Sequence, residues 1–224
     1  MTTLVTGASG FIGSHLTRLL VQHGHRVRAL VRSTSRVDAL QGLSVDVVRA
    51  DLRDRAALDA AIRGAVWVFH VAADYRLWAR NPREIYDNNV EGTRGLLDAC
   101  REAGVERFIY TSSVATLAAP RWGSVADERS VGRLDEMAGA YKRSKLLAEQ
   151  LVLEAASNAV PAVVVNPTTP VGPGDWKPTP TGRIIVDFLR GRMPAYVETG
   201  LNLVPVEDVA TGHLLAGQRG RVGE

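Results

Sequence analysis

Cysteine occurs once in this 224-residue chain, at Cys100, which excludes an internal disulfide and any disulfide-stapled architecture. Cys100 lies in a stretch of helical pattern, Gly95 to Glu106, where a small buried side chain is expected rather than a reactive thiol. Lysine is nearly missing: Lys142, Lys145 and Lys177 are the whole set, against 24 arginines scattered from Arg18 to Arg221 without a run of four. The pI of 9.3 therefore goes with a net charge of only +3, which points away from nucleic acid as a partner. Long apolar runs are lacking too. The longest uncharged stretch, Ala155 to Gly174, holds Asn158, Pro161, Asn166, Pro167, Pro170 and Pro173, so no integral membrane segment is expected, since a span needs about 20 largely apolar residues. Met1 is not followed by the basic n-region of a signal peptide, and the five histidines show no metal-ligand spacing. A reducing, cytoplasmic setting without a bound metal is the expectation.

What is present, 46% hydrophobic and 23% charged residues, is the composition of a globular domain with a sizeable core and excludes disorder. Short β-branched runs alternate with helical-period segments, the pattern of βαβ units around a parallel sheet. Strands are predicted over Thr3 to Thr6, His25 to Val31, Val45 to Ala50, Val66 to Ala72, Arg107 to Ser112 and Ala162 to Asn166. Helices are predicted over Phe11 to His23, Asp54 to Arg63, Pro82 to Ala103 and Gly139 to Ser157. Six strands with right-handed crossovers make an α/β, doubly wound parallel sheet of Rossmann type, with its ligand crevice outside the strand carboxyl ends. From Asn166 to Thr181 five prolines and two glycines predict a long loop over that crevice, followed by helices Gly182 to Arg190 and Glu207 to Gly217. The chain divides accordingly into a dinucleotide-binding domain, residues 1–165, and a second part, residues 166–224.

Two motifs carry chemistry. Thr6-Gly-Ala-Ser-Gly-Phe-Ile-Gly13 places Gly7, Gly10 and Gly13 at a strand-to-helix turn, where glycine lets the backbone approach a pyrophosphate and the helix offers free N–H groups. Ser9, Phe11 and Ile12 belong to the same turn. About 20 residues on, where an acid would meet a ribose 2′-OH, the chain has Arg32 and Arg36, which favours NADP with NAD as the alternative. Asp51 and Leu52 close the third strand at the adenine edge, with a helix N-cap by Asp51 or Asp54 as the competing reading. The second motif, Tyr141-Lys-Arg-Ser-Lys145, puts a phenol and an ammonium on one helix face. A phenol is a poor base near neutrality, and a neighbouring cation favours its ionised form. Ser113 stands at the same sheet edge and can bond a substrate oxygen.

Thr6 to Gly13, Asp51-Leu52, His70-Val-Ala-Ala73, Asn89-Val-Glu-Gly-Thr93, Ser113 and Tyr141-x-x-x-Lys145 together resemble the extended short-chain dehydrogenase/reductase superfamily, in its NAD-dependent epimerase/dehydratase group. More narrowly, His70 to Trp78, Tyr110 to Thr116, Lys177 to Phe188 and Met193-Pro-Ala-Tyr196 resemble the hopanoid-associated sugar epimerases, whose relatives are often labelled dihydroflavonol 4-reductase-like. The resemblance implies that Ser113 orients the reacting oxygen, Tyr141 exchanges its proton and Lys145 holds the nicotinamide ribose. It also implies that Val71, Ala72 and Ala73 line the pyrophosphate and ribose, and that Asn166 and Pro167 meet the nicotinamide. Asn89 is expected to fix strand ends. Val114-Ala115 stand where the dehydratases carry Asp-Glu, which argues against elimination of water, and no arginine in Leu201 to Asp208 awaits a sugar-nucleotide diphosphate. Family members continue well beyond a chain of this length, so a partial C-terminal substrate lobe and a truncated form are expected.

The activity expected from the resemblance is NAD(P)-dependent hydride transfer on a small molecule, of the sugar-epimerase type serving hopanoid side chains. The alternatives are NADPH-dependent ketone reduction and nucleotide binding without turnover. A homodimer paired through the helices Pro82 to Ala103 and Gly139 to Ser157 is expected, against their burial within one chain.

Overall fold

The computed structural model describes residues 1–119 and 124–224. Its main sheet holds β1 (Thr2–Thr6), β2 (Arg26–Val31), β3 (Val45–Arg49), β4 (Trp67–His70), β5 (Arg107–Thr111) and β6 (Ala162–Val165). All neighbours are parallel, in the order β3-β2-β1-β4-β5-β6. The Rossmann-type reading is thus correct. The strand order reverses between β1 and β4, where Thr6 pairs with His70, and this opens the crevice at their carboxyl ends.

A parallel sheet must be covered on both faces. On one, Leu4, Val68 and Phe108 pack with Leu58 and Ile62 of α2 (Arg55–Ile62), Leu96 and Cys100 of α4 (Gly92–Ala103), and Ala148 and Val152 of α5 (Gly139–Ser157). On the other, Val5, Phe69 and Ile109 pack with Leu16 and Leu20 of α1 (Phe11–Gln22) and Ala210 and Leu214 of α7 (Val206–Arg219). Each fully buried Leu, Ile or Phe here stabilises the fold by roughly 2 kcal/mol. Burial also pushes the Cys100 thiol well above its ordinary range, which leaves it inert.

Two expectations need correction. The helix expected over Pro82 to Ala103 is interrupted: α3 (Arg83–Tyr86) and α4 are joined by a π turn, Asp87–Glu91. The wider turn carries Asn89 inward, where its Oδ1 accepts from the Asp74 backbone at 2.7 Å and its Nδ2 donates to the Asp74 carbonyl at 3.0 Å and to Ser144 Oγ at 2.9 Å. The proline-rich stretch is not all loop either. Thr169–Val171 forms β7, which pairs in parallel with β8 (Leu203–Pro205), and proline is tolerated because each strand of a two-stranded sheet has an open edge. Between them α6 (Pro180–Leu189) starts two residues earlier than expected, because Thr179 Oγ1 accepts from Gly182 N at 3.1 Å and proline suits the first helical position. No residue from Val164 to Pro205 is buried, whereas α7 returns to the main sheet.

Candidate active site

At the end of β1 the chain turns sharply enough that Gly7 takes φ +66°. A Cβ there would stand 2.7 Å from Ala72 Cα and N, and one at Gly13 would overlap the Gly7 carbonyl oxygen. Ala72, at the end of β4, is locked to the turn because its N–H donates to Thr6 Oγ1 at 3.2 Å. Gly10 is the N-cap of α1; no side chain caps the helix and no acid lies in its first turn. The helix N-terminus therefore presents amides and the positive dipole end to an anion, and Ser9, Phe11 and Ile12 lie beside it, none of them buried.

Beyond β2 a cleft of about 370 Å³ is lined by Arg32, Ser33, Thr34, Arg49, Ala50, Asp51 and Asp54. Arg49 shapes its wall by donating to the carbonyls of Arg32, Ser33 and Ser35 at 3.3, 3.0 and 3.3 Å. Of the two arginines singled out in the sequence, Arg32 lines this cleft, while Arg36 is turned onto Asp38 at 2.7 Å, with its side chain 90% exposed. Asp51 is held in a two-point pair by Arg53, at 2.9 and 2.8 Å, and Arg53 holds its carboxyl down to about 2. The N-cap of α2 is Asp54, whose carboxylate accepts from Ala57 N at 3.1 Å, and not Asp51. Leu52 is half-buried beside Gly92.

Ser113 ends the turn after β5 as the N-cap of a short 3-10 segment, Val114–Thr116, and accepts from Ala115 N at 3.2 Å. Its hydroxyl faces the Tyr141 phenol and favours the ionised form; burial has the larger effect, and the phenol is raised above its ordinary range. Lys145, one turn along α5, is 2% exposed. Its ammonium donates to Tyr110 Oη at 2.8 Å and to the Thr111 carbonyl at 2.6 Å, and burial pushes it down to about 7 against the opposing charge of Glu149. The structure thus brings Ser113 and Tyr141 together and gives Lys145 a tyrosine partner, Tyr110, that the motif does not contain. Asn166 and Pro167 reach the same turn: Asn166 Nδ2 donates to Glu149 Oε2 at 2.9 Å, and the Pro167 carbonyl accepts from Val114 N at 2.9 Å. Val71 and Ala72 are half-buried and Ala73 is exposed beyond β4.

Below the crevice a buried chain of bonds fixes the strand ends. Thr93 Oγ1 donates to the Asn89 carbonyl at 2.6 Å and so accepts from His70 Nε2 at 2.9 Å; His70 Nδ1 then accepts from Thr6 Oγ1 at 2.7 Å. Burial and the Lys145 charge lower His70 to about 3. Sequence reasoning missed Tyr110 and Glu149. For Glu149 a signal existed, since it continues the Tyr141 and Lys145 face by one further turn. Among the described residues no helix is long and apolar enough to cross a membrane, and no group of three or more His, Cys, Asp or Glu side chains could hold a metal ion.

The model of the NAD dependent epimerase/dehydratase family matches residues 3–224. The chain is 52% identical over 217 residues to a dihydroflavonol 4-reductase-like protein of Synechocystis sp., covering 97% of this chain and 63% of that protein. It is 39% identical over 224 residues to sterol demethylase protein B of Methylococcus capsulatus, covering 100% and 68%. The solved UDP-glucose 4-epimerase of Thermus thermophilus, in complex with NAD, overlays with a TM-score of 0.85 at 27% identity, covering 97% of this chain and 74% of that one. The chain spans about two thirds of the length of the curated relatives it matches.

Proposed function

Because the chain belongs to the NAD dependent epimerase/dehydratase family, we propose that it transfers hydride between a nicotinamide cofactor and a secondary alcohol or ketone carbon, with net ketone reduction as its direction. The observation that carries this reading is the Tyr141 phenol, raised by burial and facing the Ser113 hydroxyl. A phenol held protonated is a proton donor, which is what reduction of a carbonyl requires. A bound nicotinamide cofactor would supply the hydride for the carbonyl carbon. Ser113 donates a hydrogen bond to the carbonyl oxygen, Tyr141 gives that oxygen its proton, and the phenolate left behind is stabilised by the Lys145 charge until solvent restores the proton. Gly7, Gly10 and Gly13 with the first turn of α1 would hold the pyrophosphate, and Arg32 would face a 2′-phosphate.

An apolar ketone is the substrate class this surface favours. Tyr75, Trp78, Trp176 and Phe188 stand exposed on the segments that follow β4 and β7, and Leu201 to Asp208 contains no arginine for a diphosphate. The names of the two relatives, a dihydroflavonol reductase-like protein and a sterol demethylase protein, agree with that class. A second reading, epimerisation linked to hopanoid side chains, is favoured by the blocks His70 to Trp78 and Lys177 to Phe188 and by the likeness to a UDP-glucose 4-epimerase. The test is incubation with NADPH and a panel running from sugars to polycyclic ketones, following nicotinamide absorbance and product stereochemistry. Stoichiometric cofactor loss supports reduction; inversion without net loss would replace it by epimerisation. Cofactor binding with neither would leave a nucleotide-binding protein.

A further inference from the structure

We propose that Glu149 is the positioning residue of this site: its ionised carboxylate ties the turn carrying Ser113 to the helix carrying Tyr141 and acts as counter-charge to Lys145. Tyr141, Lys145 and Glu149 follow one another at i, i+4 and i+8 along α5, hence on one face. Glu149 Oε2 is the acceptor for three side chains from three places in the chain: Ser112 Oγ at the end of β5, Thr116 Oγ1 at 2.8 Å from the 3-10 segment, and Asn166 Nδ2 at 2.9 Å just beyond β6. Asn166 Nδ2 also lies 3.4 Å from the Ser113 carbonyl, and the single Thr116 hydroxyl proton is shared between Glu149 Oε2 and that carbonyl, each 2.8 Å from Oγ1. The Ser113 backbone is therefore held by groups that are themselves gathered on Glu149.

In this role Glu149 is a carboxylate, an acceptor-only group that suits the Ser112 and Thr116 hydroxyls and the Asn166 NH₂ gathered on its Oε2. Charge-assisted bonds of this kind are roughly twice as strong as neutral ones. The negative charge so held faces Lys145 on its own helix, Tyr110 from β5 and, beyond Lys145, His70 from β4; Tyr110 and His70 are both neutral in the fold. The one cation buried among them is the Lys145 ammonium, and Glu149 is the group that opposes its loss of a proton. Removing the Glu149 charge would leave Lys145 deprotonated over more of the neutral range.

The catalytic consequence rests on the hydride-transfer reading, whereas the charge of Lys145 can be read without any substrate. With three lysines in the chain, two of them exposed, ¹³C labelling at the lysine ε carbon gives a spectrum in which the buried Lys145 is distinct. The expected result is that Glu149→Gln moves the Lys145 titration midpoint to lower pH by about one pH unit, while Thr116→Ala, which loosens the anchor but keeps the charge, moves it by less than about 0.3. A midpoint unmoved in Glu149→Gln overturns the counter-charge role. Amide hydrogen exchange at Ala115 and Thr116, expected to rise at least about tenfold in Glu149→Gln, reads the anchor, and unchanged exchange overturns that half. Should Glu149→Gln not fold, the ¹³C resonance of the Glu149 carboxyl in the parent decides: an ionised group near neutrality supports the proposal and a protonated one ends it. An inactive parent that still shows these shifts would remove the hydride-transfer reading and leave the role of Glu149 intact.

Discussion

The ammonium of Lys145 donates to the Tyr110 hydroxyl across 2.8 Å, and its nitrogen lies 4.3 Å from the centre of the same ring. A buried cation thus rests on a tyrosine of β5 that is itself 1% exposed and whose ionisation burial strongly opposes. Tyr110→Phe keeps the ring and removes that acceptor, so that the ammonium is left to the Thr111 carbonyl. Stability should fall by about 1–3 kcal/mol, read as a lower urea midpoint. No change would mean that the Lys145 ammonium is satisfied without Tyr110.

Tyr141→Phe removes a hydroxyl at constant packing. Turnover on any ketone the parent reduces should drop by about 10² or more, with cofactor affinity and the urea midpoint retained. Turnover within a few-fold of the parent would take the proton-donor role away from Tyr141, and with it the assigned partnership of Ser113.

Cofactor choice should depend on Arg32 and not on Arg36. NADPH is expected to bind more tightly than NADH by about 1–2 kcal/mol, and Arg32→Asp to reverse the order. Because Arg36 is exposed and turned onto Asp38, Arg36→Ala should change either affinity by less than about 0.5 kcal/mol in calorimetric titrations. Equal affinities of the parent for the two cofactors would refute the assignment of Arg32.

Acid should unfold the domain through two buried imidazoles. His213 Nδ1 donates to the Val209 carbonyl at 2.7 Å and its Nε2 accepts from Thr111 Oγ1 at 2.8 Å, so it is neutral, like His70. Burial lowers them to about 4 and about 3, against 6.5 when exposed. The unfolded chain therefore binds more protons below pH 6.5, and stability, complete above that value, should fall by about 1.4 kcal/mol per pH unit for each histidine until its folded value is approached. Urea midpoints at descending pH check the slope, and His213→Leu should flatten it.

The six-stranded sheet was legible because its strands are short apolar runs bounded by turns, most of them alternating with periodic helices. The glycine turn was legible for a related reason: Gly7 and Gly13 sit where a side chain has no room. The β7–β8 pair was not, since three residues containing Pro170 give no alternation and their partner lies some thirty residues on, beyond α6. The π turn at Asp87–Glu91 was hidden because its one extra residue leaves the apolar spacing on either side almost unchanged. In the site, Tyr141, Lys145 and Ser113 could be read as reactive types at known spacing. Glu149 continues the same helix face, but spacing alone does not give its role, because Ser112, Thr116 and Asn166 converge on it only once β5, β6 and α5 are assembled.

The pairing of β7 with β8 closes residues 172–202 into an excursion fastened at its neck, and neither core cluster contains a residue of it. Its length and composition can therefore drift while the main sheet, α1 and α7 keep their contacts. A chain built this way can exchange that tethered segment for another while both core clusters stay as they are.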